Sequence, residues 1–280
     1  SRMLLLTDGE TYGDENDCRQ LATECGQYGV AISALGLGED WNMPLLEAIA
    51  GQSGGVADHL ATPDSILAEF KRTVATMQGS SVRNAQLTLR LVAGVTPAAA
   101  WRVLPTISQL SQRTLSDRDI QLVLGDLEHG KGQSVLVELV IQSKAAGSYR
   151  VAQADVMYDI PAASLSAQHV RQDILVTLTE DPSQVTPFVA DVMNLVEKVS
   201  VFKLQTRALN EAQAGNVALA TQQLRAAATR LLNLGEAELA QAAQQEANNL
   251  ERQGQMSAAG TKKLQYGTRK LTQRLDDLDA

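Results

Sequence analysis

The first apolar run, Met3-Leu4-Leu5-Leu6, carries no polar residue on either face, which predicts a strand buried on both sides inside a parallel sheet. It ends in Thr7-Asp8-Gly9-Glu10, so a carboxylate stands where the strand becomes a loop. From Asp14 to Tyr28 the apolar positions take helical spacing, with Cys18, Leu21, Ala22 and Cys25 on the expected buried stripe and acidic residues in the first turn. Gly29 is the expected stop. A strand over Val30 to Leu35, Gly36-x-Gly38, a helix from about Pro44 to Ala50, a short strand near Val56 to His59 and a helix from Asp64 to Met77 follow. Strands separated by helices predict parallel pairing through right-handed crossovers.

Beyond Ser81 the period changes to two. Ala85 to Val92, Ile120 to Leu124, Ser134 to Ile141, Tyr149 to Tyr158 and Gln168 to Leu178 read as strands, separated by turn signals at Gly94, Gly125-Asp126, Gly130-Lys131-Gly132 and Gly147-Ser148. Antiparallel strands at this spacing predict a β-sandwich. From Thr186 onward Ala, Leu, Gln, Arg and Glu dominate, and Gly215, Gly235 and Gly254 divide the region into helices. The spacing suits a stack of antiparallel helices; the aromatic and proline positions of a tetratricopeptide repeat are missing, so a plain helical bundle is the reading. The expected domains are 1–80, 81–182 and 183–280.

Charge refines this picture. The formal net charge is −8, and residues 1–80 hold 12 acidic against 4 basic side chains, so the excess lies wholly in the first segment. An acidic surface around Asp8 suits a cation better than a phosphate, and no basic stripe with interleaved aromatics appears, so nucleic acid is not an expected partner. No run approaches the roughly 20 apolar residues of a membrane helix. Cys18 and Cys25 would be about 10 Å apart on one helix, beyond the roughly 7 Å reach of a disulfide. Unpaired thiols fit a reducing, cytoplasmic setting.

The run Arg2 to Glu10, the helix after it and Val30-Ala31-Ile32-Ser33-Ala34-Leu35-Gly36-Leu37-Gly38 resemble the second half of a von Willebrand factor A (vWA) domain, over roughly residues 1–80. The resemblance implies a partial α/β, Rossmann-like sheet, here followed by an antiparallel β-sandwich and an α-helical bundle, as in larger bacterial proteins carrying such a domain. In that family a Thr-Asp-Gly supplies one acidic member of a metal-ion-dependent adhesion site (MIDAS), a role carried over to Asp8. The family's Asp-x-Ser-x-Ser loop and its separate metal-binding Thr would lie upstream of Ser1. The implied cofactor is Mg²⁺, or Mn²⁺ or Ca²⁺, in the intact parent only, and the implied partner is a protein offering an acidic side chain to the ion.

The residues themselves leave a plainer alternative for Asp8, a helix cap or a turn Asp-Gly, common at strand ends. Thr7 either orients Asp8 or completes strand packing. Glu10, Glu39 and Asp40 would emerge on the same sheet edge and could line the ligand face. Trp41 is either an exposed anchor there or packed under its loop. Gly36-x-Gly38 lacks the third glycine of a dinucleotide fingerprint. His59, His129 and His169 are dispersed without metal-ligand spacing, and no nucleophile elbow is present, so an enzyme is not expected. Lys262, Lys263, Arg269, Lys270 and Arg274 read as a solvated helix surface. Two functions remain: a metal-dependent protein-binding module, or an assembly scaffold whose helical tail oligomerises.

Overall fold

The computed structural model describes residues 2–8, 11, 13–37, 41–60, 66–67, 70–71, 80–128, 132–142, 144–185 and 188–273. It has mixed α/β architecture, with a parallel sheet, antiparallel strands and a C-terminal set of helices. Two compact units divide it: Ser1–Ala100, Gln109–Gly132 and Val137–Val185 form one, and Trp101–Ser108, Gln133–Leu136 and Thr186–Ala280 the other.

In the first unit, β1 (Arg2–Thr7), β2 (Ala31–Leu37) and β3 (Ala57–Leu60) form a parallel sheet in that order, interleaved with α1 (Glu15–Gln27) and α2 (Met43–Ser53). Its centre is β2, where Ala31, Ile32, Ala34 and Leu35 are buried. The expectation for β1 requires correction: Met3 and Leu6 are 48% and 46% exposed, because β1 has β2 as its one sheet neighbour among the described residues. The buried stripe of α1 also differs. Leu21 is exposed and both cysteines are half-buried, whereas Ala22 and Gly26 are buried. A Cβ at Gly26 would stand 2.4 Å from the Gln52 carbonyl oxygen, so the small residues, not the larger apolar ones, set the approach of α1 to α2. Asn42 caps α2 by accepting from the Leu45 amide at 3.1 Å. Ser53 then ties α2 to the sheet, accepting from the Ile32 amide while donating to the Ile49 carbonyl. The helix expected from Asp64 to Met77 lies largely outside the described residues.

A five-stranded sheet follows, in the order β11 (Leu165–Leu178), β10 (Gly147–Ile160), β4 (Ser80–Leu91), β8 (Asp119–Glu128), β7 (Gln112–Thr114). Leu87, Leu89, Leu91, Ile120 and Leu122 bury its inner face, as the period-two pattern requires. The remaining strands, β5 (Val95–Leu104), β6 (Ser108–Gln109) and β9 (Ser134–Ile141), form a three-stranded sheet in the order β6-β5-β9. Within this unit the end of α2 meets β8 backbone to backbone: a Cβ built on Gly125 would lie 2.1 Å from the Gly54 carbonyl oxygen, and both glycines have φ of +80°. Nearby, Arg2 Nε donates to Asp126 Oδ2 at 3.0 Å, and the Asn84 amide donates to Oδ1 of the same carboxylate at 3.2 Å. Asp126 thereby joins the parallel sheet to β4 and β8.

The second unit is built on α3 (Ala190–Gln213), α4 (Val217–Asn233), α5 (Ala237–Gln253) and α6 (Ala258–Arg269). Its core alternates small and large residues, Ala208, Ala220, Ala227, Ala243 and Ala247 with Leu224, Leu231 and Leu250, so the helices approach closely. Gly215 and Gly235 end α3 and α4 in left-handed conformation, and the following amides of Asn216 and Glu236 reach back to the Glu211 and Leu231 carbonyls. This is the Schellman arrangement that satisfies the last carbonyls of a helix. Buried Glu246 accepts from the Ser257 amide and hydroxyl, fixing the entry to α6. Trp101 meets Phe202 edge to face, with ring centroids 6.0 Å apart.

Gly125→Ala should lower unfolding stability by more than about 2 kcal/mol, since it adds both left-handed strain and a backbone collision. Gly132→Ala, whose Cβ would meet open space, should stay within about 0.5 kcal/mol in the same denaturant titration.

Candidate functional site

In a parallel sheet the loops after the strands gather at one edge, and the strand register places Thr7, Gly36 and His59 side by side there. Asp8 follows directly and is exposed; Thr7 is half-buried. Glu10, Glu39 and Asp40 lie outside the described residues. Trp41 resolves to the packed alternative. It is 7% exposed and stacks on His59, with centroids 5.7 Å apart and planes at 24°. Gly36 makes this possible, since a Cβ there would sit 2.2 Å from the indole. The indole therefore lies on the β2 backbone at Gly36, the residue in register with Thr7.

A metal ion at this edge would need a full set of donors. A hard divalent ion wants about six oxygen ligands, and Mg²⁺ wants them octahedral. Among the described residues no three His, Cys, Asp or Glu side chains cluster to supply them. Asp8 offers one exposed carboxylate with a neighbouring threonine, which does not constitute a site by itself. Cys18 is no better placed for chemistry, because burial and the carboxylates of Asp14, Asp17 and Glu15 all push its thiol pKa up, away from the reactive thiolate.

A second constellation escaped the sequence reading. Asp155 on β10 is only 2% exposed, yet it sits on the outer, polar face of the five-stranded sheet. It accepts from His169 Nδ1 at 2.8 Å, Arg90 Nη1 at 2.9 Å and Arg171 Nε at 3.1 Å. Burial alone would raise its pKa, but the hydrogen bonds from His169, Arg90 and Arg171 outweigh it and hold the carboxyl at about 2. Three strands, β4, β10 and β11, are thus braced by one carboxylate. The signal available in the sequence was period two alone, which places Asp155 and His169 on polar positions without showing that they converge.

The helical unit adds two further features. Arg102 and Arg269 are 1% and 4% exposed, so Arg269 does not belong to a solvated surface as the charge run suggested. Burial, followed by the charge of Arg269, lowers the Arg102 pKa to about 10. Separately, a groove of about 580 Å³ is lined by Val217, Ala218, Thr221, Gln222, Arg225 and Glu251, with Arg225 and Glu251 paired across it at 2.8 Å. Among the described residues no helix is long and apolar enough to cross a membrane.

Comparison with known proteins identifies the fold. Residues 190–274 match the family described as the Sll0103-like, C-terminal alpha-helical domain. The chain is 31% identical over 170 residues to the uncharacterized protein sll0103 of Synechocystis sp. (strain ATCC 27184 / PCC 6803 / Kazusa), a match covering 58% of this chain and 39% of that protein. Among solved structures it is similar to the von Willebrand factor type A protein from Catenulispora acidiphila, with a TM-score of 0.77 at 17% identity, over 96% of this chain and 65% of that one. It is also similar to the human COPII-coat protein Sec24c, with a TM-score of 0.50 at 11% identity, over 97% of this chain and 40% of that one. The fold is therefore vWA-like, and the chain spans about two fifths of the curated relative it matches.

Gly36→Ala should expel Trp41 from β2, shifting tryptophan fluorescence to the red and costing about 2–4 kcal/mol of stability. For Asp155 the folded pKa lies below the unfolded value of 3.8, so its contribution is complete above that value and is lost as pH falls toward about 2. Allowing for the half-exposed arginines, Asp155→Asn should cost about 1–2 kcal/mol near neutrality and flatten the decline between about pH 4 and pH 2 in denaturant titrations.

Proposed function

We propose that this chain is the later part of a non-enzymatic protein-interaction module whose ligand face is the edge carrying Thr7 and Asp8. The observation that carries the reading is the vWA-like fold with an exposed carboxylate at the end of its first parallel strand. In this reading β1 is an inner strand of the complete A-like sheet, and its remaining partner strands lie outside residues 1–280. Half-exposed Met3 and Leu6, on a strand with one neighbour among the described residues, support it. So does the limited share of its relatives that the chain spans.

Metal dependence is the finer part of the proposal. Asp8 supplies one ligand to a divalent ion, and the other donors come from residues beyond these 280. Glu10, Glu39 and Asp40, which follow β1 and β2 in the sequence, are the further candidates for that face. The partner is then a protein with an accessible carboxylate. The competing reading is an assembly scaffold in which the A-like part only packs and the helical tail mediates oligomerisation.

Both readings share the first expectation below, and the second separates them. Calorimetric titration of the 280-residue chain with Mg²⁺ should show no tight binding, with or without Asp8→Ala. In the longer parent polypeptide Asp8→Ala should weaken Mg²⁺-dependent partner binding by about tenfold or more, as chelation does, with the fold intact. Partner affinity indifferent to both would remove Asp8 from the mechanism and leave the scaffold.

A further inference from the structure

Strand β11 forms one edge of the five-stranded sheet and runs 14 residues, from Leu165 to Leu178. Natural edges of that length are blunted by proline, lysine or a covering element. This one contains neither residue type and is exposed along most of its length. Val170 and Leu175 are 56% and 67% exposed, and Ile174 is 36% exposed. A free ladder edge with apolar side chains recruits another strand, and the order of residues along β11 says which one.

We propose that β11 pairs antiparallel with β11 of a second copy, about a two-fold axis through Gln172. Residues in register across such an axis are fixed by symmetry. Arg171 then faces the second copy's Asp173, and Asp173 its Arg171, on the polar side of the sheet. Val170 faces Ile174, and Ile174 Val170, on the other side. Shifting the axis destroys this match: centred on Arg171 or Asp173 it sets like charges directly opposite, and centred on Val170 it sets Arg171 against His169. The strand is complementary to itself in one register.

The atoms needed for the new ion pairs are available. Arg171 gives only Nε to Asp155, so the guanidinium's terminal nitrogens remain for a further partner. Asp173 receives Gln153 Nε2 at 2.9 Å and Arg150 Nη1 at 3.5 Å, both on Oδ1, which leaves Oδ2. Their side chains are 58% and 45% exposed. Asp155, which also accepts from Arg90 and His169, ties the Arg171 side chain to β10. Pairing would join two five-stranded sheets into one of ten strands and set Val170 and Ile174 of the two copies against each other, while Leu175, on the face of Arg171, would oppose His169.

The test is sedimentation equilibrium of the full 280-residue chain over a concentration series, with two charge-reversal variants. Wild type should dimerise. Arg171→Asp places carboxylates opposite one another twice, and Asp173→Arg places guanidiniums opposite one another twice, so each alone should raise the dissociation constant by about tenfold or more. An equimolar mixture of the two variants should dimerise again, because every facing pair is then of opposite sign. That recovery also shows that both variants are folded. A monomeric wild type overturns the proposal. So does a dimer unmoved by either substitution, which would use another edge such as β1, and so does a mixture that stays monomeric.

Discussion

A β-sheet that does not close into a barrel leaves two rows of backbone N–H and C=O groups without strand partners, and most of this chain's organisation answers to that constraint. The parallel sheet leaves β1 at one side and the five-stranded sheet leaves the 14-residue β11, and both carry exposed apolar side chains. The shorter edge, β7, has three residues and presents little. Asp8 stands at the end of β1, and Asp155 holds side chains of β11.

The interior supports those edges by close backbone approach rather than by bulk. Glycines carry the contact between α2 and β8, Gly36 lets Trp41 lie on β2, and Gly26 lets α1 settle on α2. Alanines do the same in the helical unit, where Ala220, Ala243 and Ala247 are fully buried. Such contacts tolerate few added atoms, since interiors are packed to crystal-like density. Polar side chains then fill specific gaps, Ser53 under β2, Asp126 between sheets and Glu246 at the start of α6. Each is satisfied by named donors, which is why each can be buried at modest cost.

Much of the fold was legible where a single period dominates. Ser134 to Ile141 was read to the residue, and β10, β11 and the glycine-punctuated helices to within a few positions. Strand β5 was not, because Val95-Thr96-Pro97-Ala98-Ala99-Ala100 is poor in β-forming residues and is held as strand by its neighbours. Leu21 was expected inside because it is large and apolar; close helix packing admitted Ala22 and Gly26 instead. Periodicity assigns a face but not a partner, so it could not show that Asp155, Arg90, His169 and Arg171 meet across three strands. It equally could not choose between the two positions for Trp41. At the Asp8 edge the motif was readable, while the partners a motif needs are a matter of three-dimensional convergence.

Amide hydrogen exchange across Arg2–Thr7 in the 280-residue chain bears most directly on the A-like sheet with an open edge at β1. A strand bonded on one side only should protect alternate amides, those directed at β2, while the intervening amides exchange at rates near those of unstructured chain and β2 stays protected throughout. Uniform protection of β1 would mean that its outer side is already paired and that the sheet needs nothing further. Uniformly fast exchange would mean that β1 does not belong to the sheet, and the ligand edge built on Asp8 would go with it.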